Sequence, residues 1–391
     1  MRKRLWLILA GTTAVVLVAG LTAAAWTFSN SILLPQPYGL LPEFTIIDAD
    51  ADSVTLPLPP SARQFAATER VGSYSLLYED SAGNLAYGDL GEVLSGDENG
   101  VRRAFTLLHG EAPQAGNPAR LDTFMHRSDP QQAHGLAFTE VRLEGEVGGL
   151  RSWWLEADAE RDTALLLLHG RRRADLTETL RLMPILAELG YSMLALAYRN
   201  HDQSADSPDG FFHYGSSEWR DALTGLEFLA SQGYEQAVVV GLSMGGAVAI
   251  QTALRQHEAD FPLELRGLIL DSPLLDPRTV FYQGARNMGI PAPLIAPLTD
   301  MSLWVARLRS GIDWPALDMR DRAAELAMPI LLIHGTADST VPVELSDAFA
   351  ASAPQYVRYQ RPEGVEHVEA WNHDPAAYGE WLEDFLSQHA P

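Results

Sequence analysis

Hydrophobic and polar positions divide the chain into distinct regimes. The first is an uncharged, largely apolar run from Leu5 to Phe28, 24 residues long, which as a helix spans roughly 36 Å and is long enough to cross a bilayer. Residues 31–60 follow, with Pro35, Pro37, Pro42, Pro57, Pro59 and Pro60 and no basic residue, and read as an extended linker. Residues 61–135 carry short runs such as Tyr74 to Tyr78 and Arg103 to Leu108, separated by turn clusters such as Gly96-Asp97-Glu98-Asn99-Gly100. That pattern predicts a small β-rich accessory region.

From residue 136 onward, segments that are apolar at every position alternate with stretches of helical periodicity. Ala164 to Leu168 and Ala237 to Val240 contain no polar residue, as strands buried on both faces require. Strands are expected at 138–144, 150–156, 164–168, 191–197, 237–241, 266–271, 329–333 and 355–360. The alternation predicts an α/β domain over 136–391, with a mostly parallel eight-stranded sheet and helices on both faces. The interval 272–328 is too long for a bare loop. It holds Pro291 to Leu298 and Met301 to Trp304, and reads as a short lid insert.

Composition narrows the chemistry. With 51 acidic and 28 basic residues the net charge is −23, which argues against a nucleic-acid partner, since a phosphate backbone needs a basic face. Lys3 is the only lysine, so no later lysine exists to form a Schiff base or serve as a base. The count of cysteines is zero, which removes thiol nucleophiles, disulfides and Cys-ligated zinc. No histidine–carboxylate spacing of a metal site occurs, and neither a metal nor a cofactor is expected.

The leading segment sets an expected location. Arg2, Lys3 and Arg4 precede the apolar run and the next basic residue is Arg63. The positive-inside rule then puts the N-terminus in the cytoplasm and the rest outside, on a signal anchor over residues 1–30 with Trp26 at the outer interface. Ala23-Ala24-Ala25 offers a small-residue cleavage site, so a secreted domain freed from a signal peptide is the alternative.

The strongest chemical motif is Gly241-Leu242-Ser243-Met244-Gly245-Gly246, placed directly after the expected strand 237–241 and before the helical run Ala247 to Leu254. Gly241 and Gly245 allow a turn tight enough to hold Ser243 in a strained conformation with its hydroxyl exposed. The helix that follows aims its positive end at any charge developing there. In this context the sequence resembles the α/β-hydrolase superfamily over about residues 138–390.

The resemblance implies further residues in a fixed chain order. His169-Gly170-Arg171, after the strand at 164–168, is similar to the family's oxyanion loop, which makes the backbone amides of Arg171 and Met244 the oxyanion donors. His334-Gly335-Thr336-Ala337-Asp338 resembles the segment that delivers the acid, so Asp338 takes that role, with Asp271 as the rival. The base comes last, and Gly364-Val365-Glu366-His367 supplies His367 ahead of the competing His373. These residues imply a Ser-His-Asp triad that cleaves an ester through an acyl-enzyme.

What is cleaved stays open. A small-molecule or lipid-like ester is the expected substrate; the alternatives are a peptide, as in serine aminopeptidase-like members, and a non-catalytic module that keeps only the fold. Arg172 and Arg173, beside the oxyanion loop, are candidate contacts to an anionic substrate group, or a solvated pair facing Asp175 and Glu178.

Overall fold

The computed structural model of the chain describes residues 20–35, 42–58, 70, 72–159, 161–171 and 175–390. A first helix, α1 (residues 20–33), precedes seven strands: β1 (Phe44–Thr45), β2 (Asp48–Ala49), β3 (Ser53–Leu56), β4 (Tyr74–Glu79), β5 (Leu85–Asp97), β6 (Gly100–His109) and β7 (Pro118–Asp122). They form one antiparallel sheet in the order β1-β7-β4-β5-β6-β3-β2. Its apolar side buries Val54, Leu56, Leu76, Tyr78, Val101 and Phe105.

After a short helix, α2 (Pro130–His134), the second sheet begins with β8 (Thr139–Gly145) and β9 (Gly148–Leu155). It continues through β10 (Thr163–Leu168), α3 (Met183–Glu188), β11 (Met193–Leu196), α4 (Trp219–Ser231), β12 (Gln236–Leu242), α5 (Met244–Ala253) and β13 (Glu264–Asp271). Helices α6 (Pro277–Asn287), α7 (Ala292–Ser310) and α8 (Ala323–Leu326) intervene before β14 (Ile330–Ile333), α9 (Val343–Ser352), β15 (Val357–Gln360), α10 (Ala370–His373) and α11 (Pro375–His389). The eight strands lie in the order β15-β14-β13-β12-β10-β11-β9-β8. From β11 to β15 every pairing is parallel, while β9 runs antiparallel to both β8 and β11.

Side-chain alternation explains the layering. In β10, Ala164, Leu166 and Leu168 enter a core shared with α4, α5, α7 and α9, whereas Leu165 and Leu167 enter a second core shared with α3 and α11. A strand buried on both faces favours apolar positions throughout, which is why Ala164 to Leu168 is uniformly aliphatic, with the one polar residue of β10, Thr163, at its start and bonded to Gln236.

Three expectations change here. The segment 31–60 is not a linker throughout, because β1, β2 and β3 fall within it and Ile46, Val54 and Leu56 are buried in the accessory sheet. That sheet therefore runs from Phe44 to Asp122 and not from residue 61. The apolar run Leu5 to Phe28 lies mostly outside the described residues, and among the described residues no helix is long and apolar enough to cross a membrane. Its last part belongs to α1, which continues to residue 33 and buries Ile32 and Leu33 in the core of the α/β domain.

Accessory sheet and α/β domain meet at the segment after His367 and at Arg181, whose Nη1 donates to the Thr123 carbonyl (3.1 Å). Asn372 Nδ2 donates to the carbonyls of Ser73 (2.7 Å) and Thr123 (2.8 Å), and its carbonyl accepts from Ser73 N–H. Glu369 accepts from Arg70 at 2.6 Å and from Tyr74 Oη at 2.9 Å. Both hubs lie in the segment just after His367, so the accessory sheet braces that loop from behind.

Candidate active site

The turn between β12 and α5 is shaped by what its glycines leave out. A Cβ on Gly241 would lie 2.5 Å from the Gly245 carbonyl oxygen, and one on Gly245 only 2.3 Å from that of Leu168. Backbone would be driven against backbone. Ser243 takes φ 50° and ψ −113°, a conformation that L-residues rarely hold and that surrounding bonds must enforce. Its N–H donates to the Asp271 carbonyl (2.9 Å), and its own carbonyl accepts from Gly246 and Leu274 (3.0 Å each).

Opposite this turn, the loop after β15 presents His367. Ser243 Oγ–H donates to His367 Nε2 at 2.9 Å, and His367 Nδ1–H donates to Asp338 Oδ2 at 2.6 Å. Asp338 comes from the loop after β14, where its Oδ1 accepts the amides of Thr340 (2.8 Å) and Val341 (2.7 Å) and its Oδ2 also lies 3.0 Å from His334 Nε2. Burial on its own would raise this carboxyl, but the His367 charge and the bonds from both histidines outweigh it and hold Asp338 well below the usual carboxylate range. For His367, burial opposes the charged form and the Asp338 carboxylate favours it; the carboxylate prevails and the imidazole is shifted upward.

The loop after β10 lies against Ser243, since a Cβ on Gly170 would sit 3.3 Å from Ser243 Cβ. Its orientation is set by bonds from below. The Gly170 carbonyl accepts from Tyr198 Oη (2.9 Å) and His169 Nδ1 (2.8 Å), while the Gly170 amide donates to Glu178 Oε2 at 2.5 Å. Because a trans peptide points its C=O and N–H in opposite directions, pinning this carbonyl turns the Arg171 N–H the other way. Burial pushes His169 down to about 4, so the ring is neutral and the bond fixes its proton on Nδ1. The Met244 N–H belongs to the first turn of α5, whose amides lack intrahelical acceptors.

A cavity of about 330 Å³ opens over Ser243 and His367, walled by Phe28 and Ser31 of α1, Leu274, and Val280, Phe281 and Met288 in and after α6. The wall is largely apolar, and part of it comes from the N-terminal helix.

The Alpha/beta hydrolase family matches residues 165–390, more than half of the chain. The chain belongs to this family. A carboxylesterase of Bacillus subtilis (strain 168) is 30% identical over 133 residues, covering 32% of this chain and 50% of that protein, so the chain spans about half the length of this relative. The hydrolase domain is also similar to an esterase of Pyrococcus furiosus. One crystal form gives a TM-score of 0.53 at 20% identity over 68% of this chain and 95% of the other, and a second gives 0.51 at 22% identity over 68% and 97%. At such identities the likeness is one of fold.

Of the residues singled out in the sequence, Ser243, His367 and Asp338 are in mutual contact, and Arg171 and Met244 flank them. Asp271 is not the partner of the imidazole: its carboxyl accepts from Ser272 Oγ and Tyr378 Oη, and burial raises it. His373 is exposed at the end of α10. Arg172 and Arg173 lie outside the described residues. The neighbouring Arg171 side chain is committed elsewhere, donating to the carbonyls of Ser31 (2.6 Å) and Ile32 (2.5 Å) at the end of α1.

Several residues of the hydrolase site had no linear signal. Glu178 and Tyr198 reach Gly170 from different elements, and nothing in their local sequence marks them. Glu366 adjoins His367, yet its role shows only in space: its Oε2 accepts both Ser339 N–H and Ser339 Oγ–H at 3.0 Å, tying the loop of Asp338 to the loop of His367.

Proposed function

We propose that the chain is a serine hydrolase that cleaves an ester bond through an acyl-enzyme, with Ser243 as nucleophile, His367 as base and Asp338 as orienting acid. The observation that carries this reading is the pair of hydrogen bonds made by His367, 2.9 Å to Ser243 and 2.6 Å to Asp338. A serine hydroxyl attacks poorly while it keeps its proton. His367 takes that proton as Oγ bonds to the acyl carbon, and returns it to the alcohol oxygen as the ester C–O bond breaks. Water then gives a proton to His367 as its oxygen bonds to the acyl carbon, and His367 returns that proton to Ser243 Oγ as the acyl C–Oγ bond breaks and the acid leaves.

The negative oxygen of each tetrahedral intermediate would meet the amides of Arg171 and Met244. Preorganised donors of this kind lower the barrier by roughly 3 to 4 kcal/mol each. An apolar cavity wall suits the acyl part of an ester, and the similarity to the B. subtilis carboxylesterase points the same way. In the same reading, the leading segment anchors the chain in a membrane with the catalytic domain on the outer side.

The test is turnover by the full chain on p-nitrophenyl esters of increasing acyl length, beside p-nitroanilides of amino acids, with Ser243→Ala as control. Ester hydrolysis that vanishes in the control is the expected result. Cleavage of the anilides alone would move the assignment to a peptidase, and cleavage of neither would leave a binding module.

A further inference from the structure

Helix α7 has an apolar face that the protein core does not cover. Leu294, Pro297, Met301, Trp304 and Leu308 recur at intervals of three and four and so share one side of the helix, a stripe roughly 21 Å long. Leu294, Trp304 and Leu308 are 52%, 59% and 67% exposed. Beside it lies α1, whose Ala25 is buried against Leu298 and Val305, with Phe28 and Met301 along the seam. The outward residues of α1 (Gly20, Thr22, Ala23, Ala24, Trp26 and Thr27) are all uncharged. Arg309 locks the two helices together, with its guanidinium 4.5 Å from the Trp26 ring centre and bonds to Ser29 Oγ and Asn30 Oδ1.

Two features identify what covers this face. The 15 residues leading into α1, 5–19, carry no charge and follow Arg2-Lys3-Arg4, the composition of a chain that enters a lipid phase. Acidic residues also thin out locally: residues 20–35 hold no charge, and residues 277–310 hold four arginines and one aspartate, of which Arg278 pairs with Asp300 and Arg307 lies 3.7 Å from Asp313, in a chain whose net charge is −23. An apolar stripe with a basic rim matches the acyl boundary and anionic headgroups of a membrane surface. The cavity above Ser243 reaches the same face, for Phe28 lines it from α1 and Met288, 58% exposed, lines it from the turn that leads to α7.

We infer that α1 and the outer stripe of α7 rest in the headgroup and upper acyl region of a bilayer, and that the site takes a membrane-resident lipid ester through the mouth between Phe28 and Met288. The substrate half of this inference rests on the ester-hydrolase reading; the location half rests on the surface alone. Arg171 links the two, because it lines the cavity with Ser243 while its side chain holds the end of α1.

Since the chain has no cysteine, Leu308→Cys provides a single labelling point, and Ser387→Cys on α11, beyond the opposite face of the sheet, provides a control. Full chain labelled with an environment-sensitive fluorophore is reconstituted into phosphatidylcholine–phosphatidylglycerol vesicles with brominated acyl chains. Quenching at position 308 several-fold above that at 387 is expected; equal quenching overturns the location. Lipid-independent energy transfer between labelled copies would assign the stripe to a second copy of the chain and likewise overturn it.

In parallel, Trp304→Glu combined with Leu308→Glu should leave hydrolysis of soluble p-nitrophenyl butyrate within twofold and cut hydrolysis of vesicle-borne phospholipid at least tenfold. Unchanged rates on both would defeat the inference. Strong quenching at 308 in a Leu308→Cys chain, with an unlabelled wild-type chain that cleaves neither ester, would support the location and overturn the substrate half.

Discussion

The two loops that meet at Ser243 are built on opposite principles. The turn after β12 is dictated locally: Gly241 and Gly245 have no space for a side chain, and Ser243 is held at a positive φ by amides and carbonyls in contact with it. The loop after β10 is dictated from afar, since Gly170 is gripped by Glu178 and Tyr198, and Arg171 reaches back across the chain to Ser31 and Ile32. The geometry at Ser243 can thus be written in six consecutive residues, while that of Gly170 and Arg171 depends on contacts from Glu178, Tyr198 and the end of α1.

Substitutions can separate the two. Ser243→Ala should leave thermal unfolding nearly unchanged and reduce kcat by about 10⁶, as a removed nucleophile does. Asp338→Asn, which keeps the shape but spoils the tautomer of His367, should cost about 10⁴ in kcat. Glu178→Ala tests the remote support: it strips a buried acceptor from the Gly170 amide. We expect a loss of roughly 10² to 10³ in kcat if the oxyanion donor shifts, with about 1–3 kcal/mol of stability lost in a denaturant titration. Retention of full kcat would mean that the loop holds itself.

Charge provides a subtler handle. In the proposed mechanism His367 must be neutral to accept the serine proton, and its pKa is raised above 6.5 by the Asp338 carboxylate against the effect of burial. The free-enzyme profile of kcat/KM should therefore rise with pH through a midpoint above 6.5. In Asp338→Asn the residual activity should show that midpoint moved to lower pH. The smallest effect is expected from Arg171→Ala, which keeps the backbone donor: kcat should fall by less than about tenfold. Residues 20–35 should become more open to proteolysis, because two bonds to the end of α1 are gone.

This contrast also explains what could be read from the sequence. Ala164 to Leu168 and Ala237 to Val240 are legible because burial on both faces leaves only aliphatic residues there, and the turn at Ser243 because its glycines are sterically required. Asp338 and His367 were accessible through the resemblance and chain order, since each sits at the end of a strand in a loop of recognisable composition. Glu178 and Tyr198 were not legible, because their function lies in contacts to Gly170 that no local pattern encodes. The prolines between residues 31 and 60 suggested a linker, yet Ile46, Val54 and Leu56 are buried there; two- to four-residue strands are too short for alternation to register. The role of α1 was hidden for a related reason: its apolar residues fit a membrane span and a docked helix equally well.

The central claim is that Ser243 is an activated nucleophile. Treatment of the folded full chain with a fluorophosphonate, followed by peptide mass mapping, tests it most directly. The account predicts stoichiometric modification at Ser243, abolished in His367→Ala. A folded protein that stays unmodified, or one labelled at another serine, would contradict it.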